Sequence, residues 1–391
     1  MKTINEKLNL LKMASEERKI RIMIVGLGSV GNYLLDYLMS TRDEGIEIAV
    51  VGRNSVKLES DANIVRVASL IRGQNRTSIT VIGDVDLNDV KSISRAIENF
   101  QPDIIVNTSR AYSGLKYGSI SWNSIRAYGI WSPLSIKYVR NIMQAYEEKE
   151  SNAIVINASY SDAVIPWLKS AGKAYPDFGS GNINHLIYRF KLAAGQLLQI
   201  SDYWNIDITF AVSHFHDVCI SKEGNTEGTE MLIDLKYKGE PLEICIDRII
   251  ASCGIPMPVD AKRNMMNASS NFEIIQALLK SVREGGKVNL HCPGVFGEIG
   301  GYPVIIDGSG AFPEAYIDEF CFSLDEMRKK NRESIYLDGI ENVQNGVLTY
   351  TDELLAKVKN AFSVNLVKDV PFEEIDKTAD FLVKEIIEKN K

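Results

Sequence analysis

Residues 22–38 constrain this chain more than any other stretch. Ile22, Met23, Ile24 and Val25 form an unbroken apolar run, short enough for a strand buried on both faces. Gly26, Gly28 and Gly31 follow at the spacing G-x-G-x-x-G, and Asn32 to Leu38 carries helical periodicity. Each glycine has a mechanical reason: Gly26 permits a tight turn, Gly28 lets backbone amides approach a ligand, and Gly31 lets the helix pack on the strand. A strand, turn and helix so arranged seat a dinucleotide's pyrophosphate on the helix N-terminus. There the amides of Gly28, Ser29 and Val30 and the helix dipole favour negative charge. A glycine-rich structural turn is the alternative for the pattern taken without its flanks.

The first half of the chain alternates apolar runs with helical periods, the mark of a parallel sheet covered by helices. Strands are predicted at 21–25, 46–51, 78–82, 104–107, 153–157 and 206–212, and helices at 31–40, 88–100, 132–150 and 184–201. Six strands at such intervals fit a complete doubly wound α/β sheet of the Rossmann type, with ligand at the strand carboxyl ends. Residues 109–130 form a long insertion whose length predicts a functional loop. After about His214 the texture changes to a mixed α+β lobe. A hairpin is expected where 231–237 and 242–246 flank Lys238-Gly239-Glu240. A helix follows at 271–283, strands at 287–291 and 302–306, and helices at 324–332, 352–362 and 372–388. The expected division is an N-terminal helix (1–19), a dinucleotide-binding domain (20–213) and a substrate and dimerisation domain (214–391). Leu8, Leu10, Leu11 and Met13 predict that the N-terminal helix lies on the body of the protein or on a partner subunit.

Composition excludes several classes. A net charge of −7 over 391 residues supplies no field to gather nucleic acid or an anionic membrane. No run reaches the roughly 18 apolar residues that a membrane span needs. The charged N-terminus does not read as a secretory signal. Five cysteines, an odd number without a C-x-x-C pair, read as reduced thiols of a cytoplasmic protein. A small-molecule ligand and a homodimer are the expected partners.

The second predicted strand ends in Val51-Gly52-Arg53-Asn54-Ser55, without the acid that accepts from a ribose 2′-hydroxyl in NAD sites. Arg53 offers a planar fork of donors to a 2′-phosphate, helped by Asn54, Ser55 and Lys57, so the expected cofactor is NADP, with NAD the alternative. A solvated turn with an incidental arginine is the competing reading. Asp84, after the third strand, resembles the adenine-contacting position of short-chain and saccharopine-type reductases. Asn107, Thr108 and Ser109 close the fourth strand, on the nicotinamide side.

The chain holds four histidines. His214-Phe215-His216-Asp217 falls just past the last predicted strand of the sheet, and His185 precedes it. A neutral imidazole can carry the proton that accompanies hydride transfer, and Asp217 can fix its tautomer. Arg189 can hold a substrate carboxylate. The order of elements resembles the lactate/malate dehydrogenase family, in which a strand ending in Asn-Pro precedes a helix bearing Asp-x-x-Arg and a strand leading to Gly-Glu-His-Gly-Asp. The counterparts are Asn157-Ala158, the run Gly179 to Arg189, and Val212 to Asp217. On that resemblance Asn157 lies near nicotinamide and substrate, Arg189 binds the carboxylate, and His214 or His216 carries the proton. Ala158 stands where the family has proline, Leu186 where it has aspartate, and a gapless overlay puts Phe215 at the histidine.

Other readings compete. Tyr112 and Lys116 match the Y-x-x-x-K of short-chain dehydrogenases, although Gly114 between them disfavours the helix that would align them. Arg110, Lys116 and Arg126 are alternatively anion contacts of a substrate loop. His214, His216 and Asp217 have zinc-ligand chemistry, but no further ligand is suitably spaced and no metal is expected. His291 and Cys292 lie on opposite faces of an extended strand, which disfavours a cysteine nucleophile. The expected function is NADP(H)-dependent hydride transfer to a small anionic carbonyl, hydroxy or imine compound. Alternatives are a saccharopine- or opine-type reductase and a non-catalytic NADPH sensor or scaffold.

Overall fold

The apolar runs assemble into the parallel sheet, and the elements between them cover it. The computed structural model describes residues 1–112, 114–258 and 260–390, without the side chains of residues 115, 116 and 119. Thr3 opens α1 (Ile4–Glu17): its hydroxyl accepts from the Glu6 amide and the Glu6 carboxylate accepts from the Thr3 amide, a reciprocal cap. Then come β1 (Ile20–Val25), α2 (Ser29–Thr41), β2 (Ile46–Val51), α3 (Ser55–Ile71), β3 (Ser78–Ile82), α4 (Val90–Phe100) and β4 (Ile104–Asn107). The insertion after β4 holds α5 (Gly114–Ile120) and leads into α6 (Ser132–Glu148), β5 (Ile154–Asn157), α7 (Ser161–Ser170) and β6 (Phe178–Gly179). The sheet is six-stranded, in the order β3-β2-β1-β4-β5-β6, and every pair in it is parallel.

The second half runs α8 (Ile183–Leu198), β7 (Ile206–Ala211), α9 (His214–Glu223), β8 (Leu232–Tyr237), β9 (Glu240–Pro241), α10 (Ile246–Ser252) and α11 (Asn264–Glu284). It continues as β10 (Lys287–Pro293), β11 (Gly301–Asp307), β12 (Glu314–Ile317), α12 (Leu324–Leu337), β13 (Ile340–Gln344), β14 (Val347–Tyr350), α13 (Asp352–Phe362), β15 (Asp369–Pro371) and α14 (Ile375–Leu382). Three antiparallel three-stranded sheets result: β7-β8-β9, β10-β11-β12 and β13-β14-β15.

The expectation for 206–212 is corrected. This strand is absent from the parallel sheet and pairs antiparallel with β8, Ile206 opposite Tyr237. Its inward residues alternate with Asp207 and Thr209, the pattern of a sheet with one wet face, whereas β4 and β5 are buried throughout. The sixth parallel position falls to Phe178–Gly179, which pairs with Ile156 and Asn157 and is too short to show a period. A helix unforeseen in the sequence, α3, crosses from β2 to β3. The hairpin turns through Lys238 and Gly239, both with positive φ, as a two-residue turn requires, but its second strand is Glu240–Pro241 and not the expected 242–246.

Apolar cores lie on the two faces of the sheet. Met23, Val25, Ile105 and Val155 point to one, shared with α6 and the β13-β14-β15 sheet. Ile22, Ile24, Ile104 and Ile156 point to the other, shared with α1, α2 and α11. Leu8 and Leu11 of α1 are buried, while Leu10 and Met13 face outward. Beside them Lys7 is buried too, its Nζ 2.9 and 2.8 Å from the two oxygens of Asp177. Among the described residues no helix is long and apolar enough to cross a membrane, and all five cysteines are free thiols.

Candidate active site

The glycines behave as their spacing requires. Gly26 has φ +91°, and a Cβ there would lie 2.8 Å from Ser109 Cβ. A Cβ on Gly31 would lie 2.2 Å from the Gly26 carbonyl oxygen, whereas nothing comes within 4 Å at Gly28. The backbone of Gly28, which caps α2, therefore faces open space, with the first amides of the helix lacking intrahelical acceptors. Thr108 pins the turn from β4, its hydroxyl donating to the Gly26 carbonyl at 2.5 Å. Asn264, at the start of α11, donates to Ser29 Oγ at 2.5 Å.

A cavity of about 550 Å³ opens at this turn. Gly26, Gly28, Ser29, Val30, Thr108 and Ser109 line one side, and His214 lines the other. The turn and one of the expected imidazoles thus share one space. A smaller cavity of about 270 Å³ adjoins it past Gly26 and Arg110, lined by Arg53, Asn54, Lys57 and Asp86. Open amides, a cradle that side chains at Gly26 or Gly31 would fill, and a cation at the far end fit a dinucleotide diphosphate.

The two histidines part company. His216 is fully buried: Nδ1 meets Ser334 Oγ at 2.8 Å and Nε2 meets the Thr226 carbonyl at 3.0 Å. Burial lowers its pKa, and both nitrogens serve the packing. The divergence also separates the proposed zinc pair. His214, the first residue of α9, keeps a 14% exposed side chain at the cavity and sets Nδ1 2.9 Å from Asp338 Oδ2. Its orienting carboxylate is therefore Asp338, 124 residues downstream, and not Asp217.

Asp338 closes α12 and is fully buried. It also accepts from the Tyr128 amide at 2.7 Å and the Tyr160 hydroxyl at 2.6 Å. The rings of Tyr128 and Tyr160 stand edge-on to the imidazole, at 4.9 and 5.1 Å between centroids. Tyr160 takes φ +44° to reach this place, a region that side chains other than glycine seldom occupy. Burial alone would push the His214 imidazole down; the Asp338 charge and hydrogen bond, with the charges of Asp162 and Asp217, outweigh it, and the pKa is raised. Asp162 accepts from the His214 amide at 3.0 Å, and burial lifts its own pKa to about 6. Asp217 is likewise pushed up by burial, to about 7, and its Oδ1 has no hydrogen-bond partner.

Several expected site residues do other work. Arg189 is buried and donates to the Cys253 carbonyl at 3.1 Å, outside the lining of the cavity. Asn107 and Asn157 bond to each other at 2.9 Å. Asn107 Oδ1 also accepts from Ser109, and the Asn157 amide donates to Ser159 and Ser161. The two asparagines lock the tips of β4 and β5 rather than face ligand. Asn54 Oδ1 caps α3 through the Lys57 amide, and Lys57 pairs with Asp61, which leaves Arg53 and the shared Arg110 as the cations of the adjoining cavity not paired with a carboxylate among the described residues. Ser55 contacts Asp84 at 3.5 Å, and Asp86 takes the place at the cavity expected of Asp84. The Lys116 side chain lies outside the described residues. Arg126 is engaged by Glu223 and Glu227. His291 Nε2 accepts from the Phe210 amide at 3.3 Å.

The malate dehydrogenase of Picrophilus torridus superposes with a TM-score of 0.55 at 15% identity, covering 82% of this chain and 96% of that one. The fold is that of the malate and lactate dehydrogenases. The malate dehydrogenase of Aeropyrum pernix gives 0.54 at 16% identity over 81% and 97% of the two chains. A lactate dehydrogenase of Cryptosporidium parvum, solved with lactic acid and β-nicotinamide adenine dinucleotide, gives 0.54 at 14% over 82% and 97%. No sequence-family model and no curated protein matches the chain. In this chain His214 is held by a carboxylate that no local motif announces.

Proposed function

We propose that the protein is an NAD(P)-dependent oxidoreductase acting on a small anionic carbonyl or hydroxy compound. One observation carries the reading: His214, held through Nδ1 by Asp338, lines the same cavity as the Gly26–Val30 turn. When bound, the cofactor supplies a hydride donor or acceptor at its nicotinamide. Amides of the Gly28–Val30 turn hold its diphosphate. With Nδ1 committed to Asp338, Nε2 of His214 is the atom that gives a proton to the carbonyl oxygen in reduction or takes it in oxidation. Asp338 and the edges of Tyr128 and Tyr160 hold the ring in place. The substrate's anionic group is assigned to Arg110, which lines the cavity, in place of Arg189.

The test follows absorbance at the nicotinamide band with 2-oxo acids, 2-hydroxy acids and amine/oxo-acid pairs. His214→Gln is expected to lose roughly 10²–10⁴-fold in turnover while the fluorescence of bound cofactor persists. Full turnover in that variant, or none with any pair in the wild type, rejects the assignment.

NADP preference is the finer part of the reading, supported by Arg53 at the far cavity and by the lack of an acid at the end of β2. Arg53→Ala is expected to raise the KM for NADPH by about 10- to 100-fold, the worth of a hydrogen-bonded charge pair, with little change for NADH. A wild type that prefers NADH would reverse it.

A further inference from the structure

A separate cavity, away from the glycine turn and His214, gathers positive charge. It holds about 350 Å³ between α7, α12, β11 and β13, and Lys169, Arg328 and Arg332 line it. Lys169 comes from the last turn of α7. Arg328 and Arg332 stand four residues apart on α12 and so share one face of the helix. Glu298 is the one carboxylate in the lining, which leaves an excess of two positive charges.

These cations are held in place without being neutralised. Glu298 takes Arg328 in a two-pronged pair, at 2.9 Å from Nε and 2.7 Å from Nη2. Asp325, outside the lining, stands 3.4 Å from Arg328 Nη1. Lys169 Nζ donates to the Phe296 carbonyl at 2.9 Å. Its stem crosses Gly297, where a Cβ would lie 2.1 Å from Lys169 Cδ, so a larger residue would displace the lysine. Arg332 has neither a hydrogen bond nor an ion pair among the described residues. Its charge still reaches the cavity: the Glu298 carboxyl is held below its usual range by the Arg328 hydrogen bond, then by the charges of Arg328, Lys169 and Arg332, against the pull of burial. The platform itself is fixed. Asn331, between the two arginines, accepts from the Gly301 amide at 3.1 Å and donates to the Gly301 carbonyl at 2.9 Å, which sets their backbone before a ligand arrives.

We propose that this cavity binds a small phosphate monoester. A phosphate dianion matches the two unbalanced charges, and its oxygens suit the planar fork of Arg332 and the point charge of Lys169. A monocarboxylate would cancel one charge and leave the other. The volume lies at the low end for small-ligand sites, which leaves room for a short organic group beside the phosphate. Ile299 and Val343 supply the apolar surface that such a group meets. The site stands apart from the hydride-transfer centre and does not depend on that reading.

Calorimetric titration of the full chain with glycerol 3-phosphate, inorganic phosphate and acetate tests the assignment. Glycerol 3-phosphate is expected to bind with a Kd below about 1 mM, ahead of inorganic phosphate, and acetate to give no measurable heat. Arg332→Ala and Lys169→Met are each expected to weaken the ester by about tenfold, the worth of one hydrogen bond to a charged group. Lys329→Ala, on α12 outside the lining, is expected to leave it unchanged. Binding that survives both lining substitutions belongs elsewhere, the Gly26–Val30 turn included, and overturns the site. No binding of the ester at about 10 mM overturns it as well. Equal affinity for acetate, or an equal loss in Lys329→Ala, shows a general positive field and has the same consequence. Inorganic phosphate bound as tightly as the ester, or more tightly, overturns the monoester and makes the free ion the occupant.

Discussion

Asp338→Asn lowers kcat/KM for carbonyl reduction by about 10²- to 10³-fold, a large part of what a positioned acid contributes, and moves the pH profile. The carboxylate that holds His214 Nδ1 at 2.9 Å also makes the imidazolium favourable, so its loss acts on both orientation and protonation. The sign follows from the chemistry. Reduction needs the protonated ring, so the rate is full below the His214 pKa and falls as pH rises through it. That pKa is raised in the wild type against the downward pull of burial. Without the Asp338 charge, burial prevails and the fall moves to lower pH. Asp162 and Asp217 also face the ring and hold part of its charge, so the shift stops short of the value burial alone would set. In the oxidative direction the neutral ring is needed and the variant's activity begins at lower pH. Proton NMR of the His214 ring reads the shift directly. An unmoved titration with reduced activity would assign Asp338 to packing alone.

Lys7→Met is expected to destabilise the fold by about 3–5 kcal/mol, the usual cost of stripping one member from a buried ion pair. Lys7 and Asp177 have side chains 0% and 5% exposed, and Asp177 Oδ2 also accepts from the Val155 amide of β5 at 2.8 Å. Burial pushes the Asp177 carboxyl up even with Lys7 beside it. In the variant the folded-state pKa rises further, and an acid with a raised folded pKa loses stability as pH climbs from its unfolded value through the folded one. The deficit is therefore larger at pH 8 than at pH 5. Urea midpoints at the two pH values check this, and Lys7→Met with Asp177→Asn is expected to recover more than half of the loss. A midpoint unchanged at pH 8 would show that α1 is held by Leu8 and Leu11 alone.

Much of the site was legible because it depends on neighbours in the chain. Gly26, Gly28 and Gly31 act within one turn, so their spacing carries their conformations, and the unbroken apolar runs of β1, β2, β4 and β5 announce strands buried on both faces. Residues whose roles depend on distant partners were misjudged. His216 and His214 are two positions apart, yet one enters the core and the other the cavity, because the first turn of a helix aims neighbours in different directions. Asn107 and Asn157 stand at strand tips where a ligand is expected, and each instead satisfies the other.

By itself, then, the order of residues determined five strands of the sheet and the conformation of its glycine turn, since these follow from local period and backbone freedom. Only the tertiary structure decided that Asp338 holds His214, that Lys7 pairs with the aspartate before β6, and that Phe178–Gly179 rather than 206–211 completes the sheet. Each of these joins groups far apart in the chain through burial, and burial of a charged or polar group selects its partner by proximity in space.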